Sequence, residues 1–478
     1  MTTNPGRLAK TAAFAALPPI WPEDLQTRVR AAAFASNRTL VVLDDDPTGT
    51  QTVYDVPVVT RWDVGTLRAE LERAGPCFFI LTNSRSLVAA DARELNRSLA
   101  LNLSEASVLS GRAFTLVSRS DSTLRGHFPL ETDTLAEVCG PFDATLIAPY
   151  FEAGGRYTLN DTHYVAEGGW LVPAAETDFA RDHAFGYRSS NLPAWVEEKT
   201  AGRVRAADVA SIGVEAIRRG GPDGVTAALL ALRPGAVCVV NLCAPRDAEV
   251  FAAATLAAEN AGKKFLSRTA ASFVSARLGL AVRPLLTSTE LGRTGRNGGL
   301  VVVGSYVPKT TAQLGRLLAS ARAPHAIELD VAALIDSPGA DTLLEAASER
   351  ISAALADGRN VVVYTSRQLV NGVDPAASLE IGRRVSNALV AVVRGLSVAP
   401  GFVVAKGGIT SSDVATRGLG VVRALVRGQI LPGVPVWLLG SETRFPGLNY
   451  VVFPGNVGDD DALAIAFSKF VPLHSGSR

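Results

Sequence analysis

The chain has few cysteines and no long apolar run, and both absences exclude classes of protein. Its 478 residues include four cysteines, without a CxxC pair and without the spacing of a zinc site. No apolar run reaches the length of a membrane span, and Pro18-Pro19 interrupts the short apolar stretch near the N-terminus. We therefore expect a cytoplasmic protein without membrane contact, because its cysteines fit a reducing compartment.

The chain also has no excess of charge of either sign. It contains 47 Lys and Arg against 46 Asp and Glu, which gives a net charge of +1. Binding to nucleic acid usually requires a basic excess, so we expect no nucleic-acid partner. A local pocket for a small anion needs only a few hydrogen-bond donors, so a net charge near zero is compatible with such a pocket.

Several familiar catalytic motifs are missing as well. The sequence has neither the GxxxxGKS/T phosphate loop nor the GxGxxG dinucleotide fingerprint, and neither HExxH nor GxSxG. None of the five histidines lies at a metal-ligand spacing, so the sequence names no metal ligands.

Short apolar runs alternate with helical patterns along most of the chain. Because these runs are continuous, they predict strands that are buried on both faces. The runs are 39–43, 77–81, 114–117, 144–148 and 237–242, followed by 300–303, 326–329, 361–364, 402–404, 436–439 and 450–453. This alternation predicts an α/β fold with two domains, each a mostly parallel sheet with helices on both faces.

A polar, Gly-rich stretch separates the two series of strands and predicts the domain boundary. We predict an N-terminal extension (1–38), a first domain (39–285), a linker (286–299) and a second domain (300–478). Ligands of open α/β sheets bind beyond the carboxyl ends of the strands, so the residues after each strand are site candidates.

The first domain has carboxylates, arginines and hydroxyls after its strands. Such a set suits a small polyhydroxylated anion, because arginine binds carboxylates and Asp or Asn binds hydroxyls. The candidates for substrate binding or catalysis are Asp44, Asp45, Asp46, Asn83, Arg85, Ser120, Asp121, Ser122, Arg125 and His127. A capped helix start is the structural alternative for the stretch SRSDSTLRGH, residues 118–127.

The stretch VVLDDDPTGTQ, residues 41–51, sets three aspartates directly after an apolar run. Adjacent carboxylates raise one another's pKa, and a cation, a positive side chain or a transferable proton relieves the repulsion. We favour Asp45 as general base, with Asp46 as second choice, because strand side chains alternate and the turn can reorient Asp46. A plain turn at 46–49 is the structural alternative.

The second domain has three glycine-bearing turns that lead from a strand into a helix. They are GSYVPKTTAQL, KGGITSSD and PGNVGDDD. Glycine lets the backbone approach a phosphate, and a helix N-terminus presents free N–H groups to it. The three turns together predict a nucleotide phosphate site. The acidic run 459–461 stabilises the helix dipole, or contacts Mg²⁺ through water.

These motifs, in this order, resemble the four-carbon acid sugar kinases, a two-domain family, from about residue 39 to residue 467. The motifs are DDPTG, TNSRSL, SRSDSTLRG, GSYVPKTTAQL, KGGITSSDVATRGLG and PGNVGDDDAL. The resemblance implies an N-terminal acid-sugar-binding domain, a C-terminal ATP-binding domain and an active site in the cleft between them. By position it implies catalytic Asp45 and Asp46, substrate-binding Arg85, and nucleotide contacts at Ser305, Gly407, Gly408, Ile409, Thr410, Gly455, Asn456, Val457 and Gly458.

The function that we predict is an ATP- and Mg²⁺-dependent kinase of a small sugar acid such as threonate, erythronate or 3-oxo-tetronate. Many family members have DDFTGA where this chain has Pro47 and Thr50-Gln51, so a related hydroxy acid of another length stays open. The alternatives are a non-catalytic two-lobed sugar-acid sensor, and another nucleotide-dependent transferase or ligase. The expected partners are ATP and the sugar acid. The sequence leaves open whether the chain forms a homodimer.

Overall fold

The computed structural model of the chain describes residues 6–336, 339–367 and 375–471. The chain divides into two units, Met1–Val53 with Arg61–Val282 and Tyr54–Thr60 with Arg283–Arg478. Among the described residues, no helix has both the length and the apolar character needed to cross a bilayer. The elements up to residue 282 are, in chain order, β1 (Leu8–Ala9), α1 (Lys10–Ala15), α2 (Gln26–Ala35), β2 (Arg38–Asp44), β3 (Val56–Val59), α3 (Val64–Glu72), β4 (Cys77–Leu81), α4 (Ala89–Ser110), β5 (Ala113–Arg119), α5 (Leu130–Cys139), β6 (Ala144–Ala148), β7 (Arg156–Leu159), β8 (Thr162–Glu167), β9 (Trp170–Pro173), α6 (Leu192–Lys199), β10 (Ala210–Ile212), α7 (Val214–Leu230), β11 (Ala236–Val240), α8 (Pro245–Asn260), β12 (Phe265–Thr269) and α9 (Ala271–Arg277).

The first unit contains a parallel sheet in the order β10-β11-β6-β12-β5-β2-β4. Every neighbouring pair in this sheet is parallel. The four residues 40–43 of β2 are buried, as expected for a strand that is covered on both faces. The α/β prediction and its mostly parallel sheet are confirmed for this unit.

The order of the strands places a topological switch point next to β2. The chain leaves β2 for β4 on one side, and then returns to β5 on the other side. Loops at such a point diverge and leave a crevice at the carboxyl edge of the sheet. The residues that follow β2 and β5 therefore lie where an α/β fold binds its ligand.

A small antiparallel sheet, β1-β9-β8-β7, completes the first unit. The sequence did not predict it, because its strands are only 2 to 6 residues long. It matters for the site because β7 begins at Arg156 and β8 carries His163.

The strands of the second unit follow one another in the order β3-β17-β18-β19-β16-β13-β15-β14. Its elements are α10 (Ser288–Leu291), β13 (Leu300–Val303), α11 (Pro308–Leu318), β14 (His325–Leu329), α12 (Val331–Asp336), α13 (Ala340–Ala356), β15 (Val361–Thr365), α14 (Pro375–Gly395), β16 (Val403–Lys406), α15 (Gly408–Asp413), β17 (Arg423–Leu431), β18 (Val434–Leu439), β19 (Asn449–Phe453) and α16 (Ala462–Phe470). The five strands from β19 to β14 in this order are parallel, and β3, β17 and β18 are antiparallel.

The second unit also has a switch point, between β13 and β16. After β13 the chain builds β14 and β15 on one side, and then crosses to β16 on the other. The glycine-bearing turns after β13 and β16 therefore leave adjacent strands at the position where loops diverge.

Candidate functional site

Asp44 ends β2 at the first switch point and is buried. Its Oδ1 lies 3.1 Å from Arg119 Nη1, and its Oδ2 accepts no hydrogen bond within the described part of the chain. Burial raises the pKa of Asp44 to about 7, because the opposing effect of Arg119 is weaker and the Asp45 and Asp46 charges add to the rise. Asp44 therefore changes its protonation state near neutral pH.

Asp45 is the next residue and is equally buried. Its Oδ2 accepts a hydrogen bond of 3.0 Å from the Ser120 hydroxyl, and its Oδ1 accepts none within the described residues. Arg85 Nη1 lies 3.8 Å from Oδ1. Burial raises the pKa of Asp45 above its ordinary value, although the Arg85 charge acts against it. The side chain thus combines a raised pKa with an oxygen that is free to accept a proton.

Asp46 differs from both because the turn redirects it towards cations and donors. Its Oδ1 accepts a hydrogen bond of 2.8 Å from the Thr48 backbone N–H, and its Oδ2 accepts one from Arg85 Nη2. Burial alone would raise the pKa of Asp46, but Arg85 and Thr48 outweigh it and lower the pKa below the ordinary value. Asp46 is therefore the ionised member of the aspartate run.

Asp121 joins Arg85 to Arg125. Its Oδ1 lies 3.4 Å from Arg85 Nη1 and accepts a hydrogen bond of 3.3 Å from Arg125 Nη2, and its Oδ2 accepts one of 2.9 Å from Arg125 Nε. Although burial raises the pKa of Asp121, the two guanidinium groups hold it well below the ordinary value. We call Asp44, Asp45, Asp46, Asp121, Arg85, Arg119, Arg125 and Arg268 the acidic cluster.

Arg268 is a member of this cluster that the sequence did not predict. It lies near the carboxyl end of β12, and its Nη1 donates to Ser118 Oγ at 2.7 Å and to Glu131. Gly126 has φ +117°, and a Cβ there would lie 2.9 Å from Arg268 Nη2 and 3.2 Å from Asp45 Oδ2. Only glycine allows this turn to approach Arg268 and Asp45 so closely.

The remaining predicted residues of the first unit surround the acidic cluster or support it. Asn83 lies in the loop that follows β4 and adopts the left-handed backbone conformation, with φ 52°. His127 Nε2 forms hydrogen bonds with the carbonyls of Ser84 and Leu87, at 3.1 and 3.0 Å, so His127 positions the loop after β4. The Ser122 carbonyl accepts a hydrogen bond of 2.8 Å from His163, whose pKa burial lowers to about 4. These contacts give His127 and His163 supporting positions.

The glycine-bearing turns of the second unit come together after β13, β16 and β19. Thr310 Oγ1 donates to the Gly455 carbonyl at 3.1 Å and lies 3.3 Å from Ser305 Oγ. Gly407 has φ +121°, and a Cβ there would lie 3.1 Å from Ser305 Cβ and from Thr410 Oγ1. We call the turns 304–310, 406–410 and 454–458 the glycine-loop cluster. Within it the predicted Ile409, Asn456 and Gly458 are exposed, and Thr410 is buried.

Three cationic or amide side chains that the sequence did not predict hold the glycine-loop cluster together. Lys406 is fully buried, and its Nζ donates to the carbonyls of Pro454 and Gly455 at 2.6 and 3.1 Å. Lys309 Nζ donates to the Gly458 carbonyl at 3.2 Å, and Gln313 Nε2 donates to the Val457 and Asp459 carbonyls at 3.0 and 2.6 Å.

Burial lowers the pKa of Lys406 to about 7, and the nearby Lys309 charge acts in the same direction. Both ammonium groups would gain favourable interactions from an anion bound at these turns. The signal for Lys406 in the sequence is its position immediately before Gly407, at the end of a buried strand.

Two family models match the chain. A model described as a sugar-binding N-terminal domain matches residues 40–277, and one described as a nucleotide-binding C-terminal domain matches residues 300–463. The first matched range contains the acidic cluster, and the second contains the glycine-loop cluster. The residues of each cluster therefore lie in a domain whose described ligand agrees with their chemistry.

Solved structures share the fold at low sequence identity. A Salmonella typhimurium LT2 crystal structure, provisionally described as a tRNA synthase, is 18% identical with a TM-score of 0.66, over 90% of this chain and 98% of that chain. The Haemophilus influenzae protein HI1011 is 19% identical with a TM-score of 0.61, over 90% of this chain and 100% of that chain. No curated protein matches the chain.

Proposed function

The chain belongs to the two-domain four-carbon acid sugar kinase family, and from this membership we propose that it transfers the γ-phosphoryl group of ATP to a small sugar acid. The acceptors that we propose are four-carbon acids such as threonate, erythronate or 3-oxo-tetronate. The products are then ADP and the phosphorylated acid.

The observation that carries the proposal is the state of Asp45. A general base needs a lone pair that is not used in a hydrogen bond, and a pKa closer to neutrality than that of an ordinary aspartate. Asp45 has an oxygen without a hydrogen-bond partner among the described residues, and burial raises its pKa. We assign it the removal of the acceptor hydroxyl proton, while Arg85 holds Asp46 and Asp121 in place beside it.

The glycine-loop cluster supplies the groups that a triphosphate requires. Backbone N–H groups at the start of α11 and in the turns 407–410 and 455–458 would bind phosphate oxygens, and Lys309 would offset part of their charge. Phosphoryl transfer depends on positioning and on charge stabilisation more than on covalent chemistry. The cluster therefore fits the nucleotide role, and Lys406 fixes the relative positions of two of its turns.

The acidic residues of the second unit fit Mg²⁺ that is bound together with ATP. Within the described residues, no group of three His, Cys, Asp or Glu side chains could hold a metal ion by itself. Mg²⁺ usually retains several waters and takes one or two carboxylates along with phosphate oxygens. Asp459 and Asp460 are exposed directly after the 454–458 turn and would hold the ion through water. When bound, it would offset phosphate charge.

The proposal is tested by incubating the full chain with Mg-ATP and each of the three acids. We expect ADP release that requires the acid, together with a phosphate monoester that phosphorus NMR detects. Four-carbon polyols without a carboxylate serve as acceptor controls. Acid binding by calorimetry without any ADP release would contradict the kinase and favour the sensor. Adenylate or pyrophosphate release would favour a ligase or another transferase.

A further inference from the structure

Arg156 differs from the other arginines near the acidic cluster because no carboxylate of the described residues lies within ion-pairing distance of it. Arg85 pairs with Asp46 and Asp121, and Arg125 pairs with Asp121. Arg119 and Arg268 pair in the same way with Asp44 and Glu131. Arg156 makes no ion pair among the residues that the structure describes, and its Nη1 donates to the Gly154 carbonyl.

The guanidinium of Arg156 is also incompletely hydrogen-bonded. Its Nε is buried and donates to no acceptor within the described residues. Burial lowers the pKa of Arg156, and of the nearby charges Asp121 and Glu167 oppose this effect while Arg125 adds to it. An N–H group that is buried without a partner is costly, and a charged one more so. A bound anion would supply the missing acceptor.

Phe179 connects Arg156 to the acidic cluster. The guanidinium carbon of Arg125 lies 5.1 Å from the centre of the Phe179 ring, and that of Arg156 lies 5.3 Å from the same centre. Cations at this distance are attracted by the ring, which reduces the rotational freedom of both side chains. Phe179 therefore restrains two guanidinium groups, each of which has the planar fork that matches a carboxylate.

We propose that Arg156, together with Arg125, binds the carboxylate of the acceptor acid and selects acids over neutral polyols. This inference rests on the proposed sugar-acid kinase and names the group that its substrate presents there. Arg156 has the main role, because carboxylates already offset the charge of Arg85, through Asp46 and Asp121, and that of Arg125, through Asp121 and Asp182. Contacts run from Asp45 through Arg85, Asp121 and Arg125 to Phe179, so Asp45 and the arginine pair belong to one connected group of side chains.

The test compares Arg156→Met with Arg181→Met, using whichever acid the unaltered protein phosphorylates best. Arg181 is an exposed arginine two residues from Phe179, and it forms an ion pair with Asp178 on the surface. We expect Arg156→Met to raise KM for the acid by about 10- to 100-fold, the loss typical of a charged hydrogen-bond partner. KM for ATP and the melting temperature should stay near those of the Arg181→Met control. Arg156→Lys, which keeps the charge but loses the planar fork, should lie between the two.

Neutral acceptors separate carboxylate binding from a structural role. Threitol and erythritol resemble the acids in length but have no carboxylate, so Arg156→Met should change their weak turnover or binding less than threefold. An equal loss for acids and polyols, or an unchanged KM for the acid, would overturn the inference. Calorimetry with the acid alone distinguishes the two proposals. If acid binding depends on Arg156 but no turnover occurs, the inference is retained and the kinase is refuted. If turnover occurs and does not depend on Arg156, the kinase is retained and the inference is refuted. No acid binding or turnover at all would refute both.

Discussion

The three consecutive aspartates lie in different environments and therefore differ in protonation. The Asp46 pKa lies below the ordinary value because of Arg85 and Thr48, whereas burial raises those of Asp44 and Asp45. The sequence predicted that adjacent carboxylates would need a cation or a proton. The sequence could not predict which aspartate pairs with a cation and which keeps a proton. Arg85 follows β4 and Arg119 ends β5, and both strands are distant in sequence from the aspartates.

Asp45→Asn tests the proposed base. Asparagine preserves the size of the side chain and can still accept the Ser120 hydrogen bond, but it cannot remove a proton from the acceptor. We expect kcat to fall by about 10²- to 10⁴-fold, the usual contribution of a general base. Steady-state kinetics with saturating ATP and acid measure this loss, with melting curves to show that the variant is folded.

Asp46→Asn is the matched comparison for Asp45→Asn. Asp46 already accepts hydrogen bonds from Arg85 and Thr48, so its loss should weaken the loop more than it affects proton removal. If Asp45→Asn folds normally and keeps its kcat while Asp46→Asn loses it, then Asp46 is the base. Normal kcat in both folded variants would remove the aspartate run from the chemistry.

Asp44 makes stability depend on pH in a direction opposite to that of most carboxylates. Its folded-state pKa is raised from 3.8 to about 7, so between these values the folded chain binds more protons than the unfolded chain. The free energy of unfolding therefore falls as pH rises from about 4 to 7 and then levels off. Asp44→Asn mimics the protonated acid and should remove this dependence.

The expected difference between Asp44→Asn and the unaltered chain is largest above neutrality. From pH 5 to pH 8 the unfolding free energy of the variant should rise by about 2–3 kcal/mol relative to the unaltered chain. Denaturant unfolding at the two pH values measures it. A relative stability that is equal at both pH values would show that Asp44 is ionised throughout.

At the scale of elements, the strands that the sequence predicted are those with continuous apolar runs. Residues 77–81, 144–148 and 300–303 are strands with the predicted bounds, because a strand covered on both faces is usually apolar along most of its length. β12 was not predicted, since its sequence FLSRT turns polar where it carries Arg268. β17 was not predicted either, because it lies in an antiparallel pair and alternates between buried and half-buried residues.

Lys406→Met tests how the end of β16 organises the glycine-loop cluster. The change leaves the carbonyls of Pro454 and Gly455 without the Lys406 donor and frees the 454–458 turn from β16. We expect KM for ATP to rise about tenfold, corresponding to about 1.4 kcal/mol, while KM for the acid stays within about twofold. Steady-state kinetics with each substrate varied in turn measure both values.

Lys469→Met is a control with the same number of backbone acceptors. Lys469 Nζ donates to the carbonyls of Leu286 and Ile430, at 2.9 and 2.8 Å, outside the glycine-loop cluster. This variant should lower the melting temperature and leave KM for ATP unchanged. Equal effects of the two variants on KM for ATP would mean that the Lys406 effect reflects general stability alone.

At the scale of the whole molecule, the sequence predicted two α/β domains with residues 39–285 in the first, and it did not predict the strand β3 within that range. β3 follows the aspartate run in sequence, yet it pairs antiparallel with β17, and residues 54–60 belong to the second unit. The four residues Val56–Val59 carry no local signal for a partner more than 350 positions away. Strand pairing of this kind depends on the complete sheet, which local patterns do not specify.

Because β3 belongs to the second unit although it lies early in the sequence, a fragment of the second unit that lacks β3 should behave differently from the full chain. A fragment starting at Gly298 lacks β3, so it exposes the edge of β17, and it also lacks Leu286 and Leu291 from the core. We expect such a fragment to aggregate, because an uncovered apolar strand edge pairs with other chains. Size-exclusion chromatography at increasing concentration measures this.

A fragment that restores the missing strand should fold and bind ATP. Residues 53–61, joined by a Gly/Ser linker of about ten residues to 283–478, would supply β3, and that linker spans roughly 17 Å on average. Arg283 lies 5.3 Å from the Tyr54 ring and 4.0 Å from Asp55, so the linker has to run from Arg61 back along β3, a distance of roughly 20 Å. We expect this fragment to aggregate less than the one that starts at Gly298, and its Kd for Mg-ATP, measured by calorimetry, to lie within about tenfold of that of the full chain. Replacing Val56 and Val58 by Asp should return the fragment to aggregation, since both side chains are buried. A monodisperse, folded fragment without ATP binding, alongside a full chain that binds it, would show that the nucleotide site needs residues outside this unit.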